Sequence, residues 1–126
     1  MPSEAPPPDV GFVLDCAAPD VLAPFWAEAL RYVKLGGVDS YTLLTPDGRE
    51  GPNLLLQRVP EAKAGKNRMH FDLHTPDIEA EATRLEALGA QRLDDGPLQE
   101  HGSAWIRMAD PEGNEFCVCD GGGGEC

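Results

Sequence analysis

Three side chains able to bind a metal or move a proton, His70, Asp72 and His74, stand at alternate positions with Phe71 and Leu73 between them and Met69 before them. A period of two is the mark of a half-buried strand, so the polar three share one face and the apolar three the other. The same spacing recurs in Glu115, Cys117 and Cys119, in Trp105 and Arg107, in Val13 and Asp15, and in Leu55, Gln57 and Val59. Their alternates (Phe12, Leu14, Leu54, Leu56, Ile106, Met108, Phe116 and Val118) are all apolar. The first set therefore defines a face for function and the second a face for packing.

His70 beside Asp72 suits acid–base chemistry, the carboxylate orienting the imidazole, with either His70 or Glu115 as the base. The plainer reading is a histidine hydrogen-bonded to Asp72 or Glu115 for structural reasons. Asp15 and Asp72 are either a symmetric acid–base pair or acceptors for backbone and arginine donors. Trp105 and Arg107 suit an anionic or aromatic ligand, or else rim packing and an arginine–carboxylate pair. Cys117 has no adjoining motif to supply a base and reads as a small buried filler rather than a nucleophile. His74, at a strand end, and His101, in a loop beside Gly102, are expected to face solvent.

The elements that must position these residues follow from periodicity. Val10 to Ala17 reads as a strand; Pro19-Asp20 then opens a helix with Leu22, Phe25, Trp26, Ala29, Leu30 and Val33 on one stripe. Three extended stretches follow, near Tyr32 to Leu35, Ser40 to Thr45 and Asn53 to Val59, with breaks at Gly36-Gly37 and Pro46-Asp47-Gly48. The order then restarts. Arg68 to His74 is a strand whose Met69, Phe71 and Leu73 face a helix, and Thr75-Pro76-Asp77 opens that helix, which carries Ile78, Ala82, Leu85 and Leu88 and stops at Gly89. Gln91 to Leu93, Ser103 to Ala109 and Asn114 to Cys119 are three more strands, the last two joined by the turn Asp110-Pro111-Glu112-Gly113. Leu14-Asp15 with Pro19-Asp20 recurs as Phe71-Asp72 with Pro76-Asp77, an offset of 57 residues. The chain is a tandem repeat of the α+β class: two βαβββ modules, about 10–60 and 67–120, forming a half-barrel sheet around one cleft, with helices on the convex face.

This order, together with Gln57 to Glu61, Gly65 to Leu73 and Asp110-Pro-Glu-Gly-Asn-Glu-Phe-Cys-Val118, resembles the vicinal oxygen chelate superfamily and its small glyoxalase-like domains, over about residues 10 to 120. That superfamily includes glyoxalase I, bleomycin-resistance proteins and extradiol dioxygenases. The resemblance implies a small-molecule ligand and a homodimer. It also implies two classes of activity: sequestration of the ligand, or lyase, isomerase or dioxygenase-type chemistry beside a carbonyl. In the metal-dependent members His or Glu ligands come from one position on the first and one on the fourth strand of each module, which here fall near Val13, Gln57, His70 and Cys117. Only His70 is of the family's ligand type, so no cofactor is expected; a divalent metal would need a remodelled site using His70 and Glu115 with Asp72. Site residues on this reading are His70, Asp72 and Glu115 for catalysis and Asp15, Gln57, Trp105, Arg107 and Cys117 for ligand contact. Arg107 would stabilise an enolate oxygen.

A formal charge of -12 speaks against nucleic acid, whose recognition needs clustered Lys and Arg. Asp15, Asp72 and Glu115 on one face predict an electronegative site that prefers a cation or a neutral ligand and raises at least one carboxyl pKa. No apolar run reaches the length of a membrane span, and the N-terminus has neither the basic nor the apolar part of an export signal, which places the chain in the cytoplasm. Cys16, Cys117, Cys119 and Cys126 are then expected as free thiols. Residues 1–9, with four prolines, and 121–126, Gly-Gly-Gly-Gly-Glu-Cys, are expected as tails.

Overall fold

The first strand of each module, hydrogen-bonded in parallel to the last, sets the architecture. A computed structural model describes residues 10–67, 69–100 and 102–120, so the expected tails, Arg68 and His101 lie outside the described residues. The chain forms two compact units, Met1–Pro60 and Glu61–Cys126. The first holds β1 (Phe12–Cys16), α1 (Pro19–Leu30), β2 (Tyr32–Val38), β3 (Tyr41–Pro46) and β4 (Leu54–Arg58) in the sheet order β1-β4-β3-β2. The second holds β5 (Phe71–Thr75), α2 (Ile78–Ala87), β6 (Gln91–Arg92), β7 (Leu98–Glu100), β8 (Ser103–Ala109) and β9 (Glu115–Asp120) in the order β5-β9-β8-β6, with β7 also on β8. Both are βαβββ in plan: β1–β4 and β5–β9 are parallel, and every other pairing is antiparallel. A parallel pair cannot be closed by a tight turn, so the helix and two strands serve as the crossover.

In the first unit α1 begins without a capping side chain at Ala18, but Pro19 in its first turn lacks an N–H that would otherwise be orphaned. Leu22, Phe25 and Trp26 of α1 are buried with Leu44, Leu54 and Leu56 of the sheet, and the Phe25 and Trp26 rings meet edge to face with centroids 5.1 Å apart. The helix ends at Arg31, which turns left-handed at φ 56°. Arg49 donates to the exposed carbonyls of Leu30 (2.8 Å) and Arg31 (3.2 Å), as a cation at a helix C-terminus should. Val33, expected on the helix, therefore lies in β2 and is 41% exposed. Nor do Gly36 and Gly37 interrupt β2, because a bulge between Lys34 and Gly36 absorbs the irregularity and the ladder continues to Val38.

The second unit opens later than the alternation suggests. β5 begins at Phe71, and Met69, expected against the helix, is 62% exposed because it precedes the ladder. Asp77 caps α2 by accepting the Ala80 N–H at 3.1 Å, and Gly89 at φ 117° ends it, with Ala90 N–H reaching back to Leu85. Ala82 and Leu85 are fully buried, as are Ile106, Met108, Phe116 and Val118 of the sheet, to within 1%. One strand escaped the sequence reading: β6 and β7 pair with opposite ends of β8, Arg92 opposite Met108 and Leu98 opposite Trp105. Together they take the place of β2, broken at Asp94-Asp95-Gly96-Pro97, where proline cannot donate to a ladder.

The expected turn between β8 and β9 is built on a buried carboxylate. Asp110, 4% exposed, accepts from the N–H groups of Glu112 (2.8 Å) and Asn114 (2.9 Å) and from the Asn114 side chain (2.9 Å), while Gly113 takes φ 88°. Replacing Asp110 by Ala would orphan these donors in a site closed to water. Asp110→Ala is expected to lower unfolding stability by about 2–3 kcal/mol in urea titration with an unchanged slope. A loss below ~0.5 kcal/mol would show that the turn is held by its backbone alone.

Candidate functional site

Register alignment places the chemistry. On β5 and β9 Asp72 stands opposite Cys117 and His74 opposite Cys119, and on β8 Arg107 stands opposite Cys117 and Trp105 opposite Cys119. Asp72, Cys117 and Arg107 thus form a row across three adjacent strands on the face away from the buried Phe116 and Val118. His70 is just outside the ladder, one residue before β5, and its Nε2 lies 3.0 Å from Asp72 Oδ1. The pair is accessible, with side-chain exposures of 42% and 31%. Cys117 shares this face yet is only 7% exposed, and it is a free thiol.

The ligand atoms of His70, Asp72 and Cys117 all lie within 4.8 Å of one another, a partial metal-ligand set. Glu115, expected beside His70 in any metal site, is not part of this cluster. Its Oε1 accepts the Asn67 N–H at 3.0 Å and stands 3.5 Å from Lys66 Nζ. The backbone hydrogen bond first, and Lys66 and Lys63 after it, hold the carboxyl below its ordinary range. The expected crowding of carboxylates therefore does not raise Glu115: donors reach it before its like-charged neighbours count.

Arg107 likewise has a partner that the sequence reading missed. Its Nε and a terminal nitrogen bind the two oxygens of Asp94 at 2.8 and 3.0 Å, a bidentate pair. Asp94 is pushed down by that hydrogen bonding and Arg107 pushed up by the same contact. The break between β6 and β7 makes this possible, since Leu93 N–H bonds Arg107 O at 2.9 Å and Asp94 follows it. The antiparallel register, counted on from Arg92 opposite Met108, brings residue 93 level with Arg107 and leaves Asp94 one residue beyond it. Trp105 is half-buried, and His74 is exposed as expected.

The first unit holds the other expected residues. Asp15, exposed, is opposite Gln57, and Gln57 Nε2 reaches the Tyr41 hydroxyl at 3.5 Å. The metal set that the fold family implies does not fit these residues. Val13, 54% exposed, has no donor atom, and Gln57 is a weak neutral one. Cys16 is a buried free thiol, whereas Cys119 is disulfide-bonded rather than free; the expectation of free thiols rested on compartment alone.

Burial, and the Asp72 carboxylate after it, push the Cys117 thiol up to about 11. At neutral pH it is a thiol and not a nucleophile. In native protein, alkylation of Cys117 followed by peptide mapping is expected to be negligible at neutral pH and to rise as pH approaches 11, and Asp72→Asn should shift that rise to lower pH. Rapid alkylation at neutral pH would overturn this reading of the thiol.

Comparison with known proteins agrees with this geometry. The family profile described as "Glyoxalase-like domain" matches residues 11–119. No functionally curated protein matches the chain. Among solved structures, a glyoxalase/bleomycin resistance protein/dioxygenase from Nocardioides superposes with a TM-score of 0.74 at 14% identity, over 98% of this chain and 89% of that one. A lactoylglutathione lyase from Agrobacterium tumefaciens gives 0.64 at 20% identity over 93% and 96%. A fosfomycin resistance protein from Listeria monocytogenes, complexed with Mn(II) and a dihydroxypropylphosphonic acid, gives 0.69 at 12% identity over 86% and 85%. At these identities the structures establish a shared fold. With the profile spanning nearly all the described residues, the chain belongs to the glyoxalase-like domain family of the vicinal oxygen chelate superfamily.

Proposed function

We propose that the protein binds a small cationic or neutral molecule on the polar face of its second module and acts by sequestration, a role that needs no metal. The observation that carries this is the bidentate Arg107–Asp94 pair, which occupies the cation best placed to hold an anionic ligand or an enolate oxygen. Lys66 makes a single, longer contact with Glu115, at 3.5 Å. The Asp72 carboxylate, by contrast, has a histidine rather than a lysine or arginine for its close partner, and a carboxylate on a half-buried face favours a positive ligand. The Nocardioides relative is described as a glyoxalase/bleomycin resistance protein/dioxygenase, a set in which bleomycin resistance is the sequestering role.

The competing reading is enzymatic, and the His70–Asp72 contact supports it: His70 would take a proton beside a carbonyl while Asp72 orients the ring, chemistry of the class named for the Agrobacterium relative. With Arg107 and Glu115 engaged elsewhere, that reading lacks its oxyanion stabiliser and keeps only His70 as base. We further place the protein in the cytoplasm, as a homodimer with no nucleic-acid or membrane partner. Among the described residues no helix is long and apolar enough to cross a membrane.

Thermal-shift titration with bleomycin, a glutathione hemithioacetal and a small phosphonate separates the readings. Stabilisation by bleomycin, weakened about tenfold (~1.4 kcal/mol) in Asp72→Asn, and no stabilisation by the phosphonate is the expected result. Product formation from the hemithioacetal that disappears in His70→Ala would establish the enzyme instead.

A further inference from the structure

The first module carries a groove of its own, in which the residues of the polar face take no part. Its volume is about 780 Å³, and it lies between residues 10–12, where the chain enters β1, and residues 45–46 and 49–53, at the end of β3 and in the loop to β4. We propose that this groove is the docking site for the chain's own proline run, Pro6-Pro7-Pro8, which straps the entry of β1 to the β3–β4 loop.

The walls are fixed before anything docks. Arg49 reaches from the loop to the carbonyls of Leu30 and Arg31 and lies over the Tyr32 ring, 5.6 Å from its centroid. The Tyr32 hydroxyl donates to Pro52 O at 2.7 Å, and Phe12 N–H donates to Asn53 O at 3.1 Å, so the two walls are tied together. Gly51 packs so closely that a Cβ there would stand 3.1 Å from Pro46 Cγ. The lining suits a polyproline segment. Phe12, Pro46 and Pro52 offer apolar surface to proline rings, while the Thr45 hydroxyl and the Asn53 amide offer donors to carbonyls that such a segment leaves without partners. Size agrees: 780 Å³ corresponds to about 9 Å on a side, the length of three residues in polyproline II at about 3.1 Å each. Position selects this occupant over a free peptide. Val10 is itself a wall residue, so Pro8 stands two residues from the groove and no long loop has to be closed. Attachment gives the segment an effective concentration on the order of millimolar, and the fixed φ of proline lowers the entropy lost on docking, so weak contacts suffice.

Two-dimensional NMR of isotope-labelled full-length protein tests this, with the amides of Gly51 and Asn53 as reporters because both are distant in sequence from the prolines. In the triple variant Pro6→Gly, Pro7→Gly, Pro8→Gly both reporters are expected to shift, and an unlabelled peptide of residues 1–9 should return them saturably to their wild-type positions. By fluorescence anisotropy a dye-labelled form of that peptide should bind wild-type protein at least about tenfold more weakly than the variant, because the wild-type groove is already filled. Reporters that stay in place in the variant, or equal affinity of the peptide for both proteins, would overturn the proposal. So would wild-type reporters that shift on dilution, which would put the segment in the groove of a second copy. No ligand of the polar face is used, so failure here leaves the sequestration reading standing.

Discussion

A strand paired in parallel with another from the same chain needs a long crossover, and both modules meet that demand with a helix on one face of a sheet. The consequence reaches the chemistry directly. In the second module the β5–β9 pairing buries Phe116 and Val118 toward α2 and, by the same register, lays Asp72 beside Cys117 on the opposite face. The first module repeats the device, with Asp15 opposite Gln57 at the corresponding positions. A one-residue slip of either ladder would exchange the faces, so the hydrophobic burial that holds the fold also fixes which residues share a site.

Charge on the second module is arranged in pairs rather than pooled. Arg107 is held by Asp94, and Glu115 by Asn67 and Lys66. Arg84 binds Glu81, and Arg92 binds Glu79 and Glu86 along α2. Against a formal charge of -12 such pairing consumes the scarce cations first. Asp72 has a histidine for its close partner, and the charge of that pair depends on whether the imidazole is protonated. This is the basis on which we propose a cationic or neutral ligand over an anion, although lysine and arginine are present near the site.

Much of this was legible in the sequence because period-two alternation reports a sheet with one buried face. It picked out Leu54, Leu56, Ile106, Met108, Phe116 and Val118 as buried, although Cys117 and Cys119 of the other parity are buried as well. Alternation does not say where hydrogen bonding begins, so Met69 was placed inside although β5 starts two residues later. The short strand β7 gave no signal because all three of its residues are exposed and pair only with β8. The partner of Arg107 was hidden for a different reason. Asp94 lies in a run that reads as a turn, and its meeting with Arg107 depends on the register of a hairpin across 13 residues. The opposite displacement of Glu115 from that expected for crowded carboxylates had the same source, a non-local backbone donor from Asn67.

The most direct measurement is the response of amide and side-chain chemical shifts in isotope-labelled protein to a matched pair of small probes, one carrying a guanidinium and the other a phosphonate. If Arg107 is committed to Asp94 and Asp72 is the accessible charge, the cation will shift resonances of His70, Asp72 and Cys117 while the anion leaves the Arg107 Nε resonance unmoved. Saturable shifts at Arg107 with the phosphonate, and none at Asp72 with the guanidinium, would contradict this account of the site.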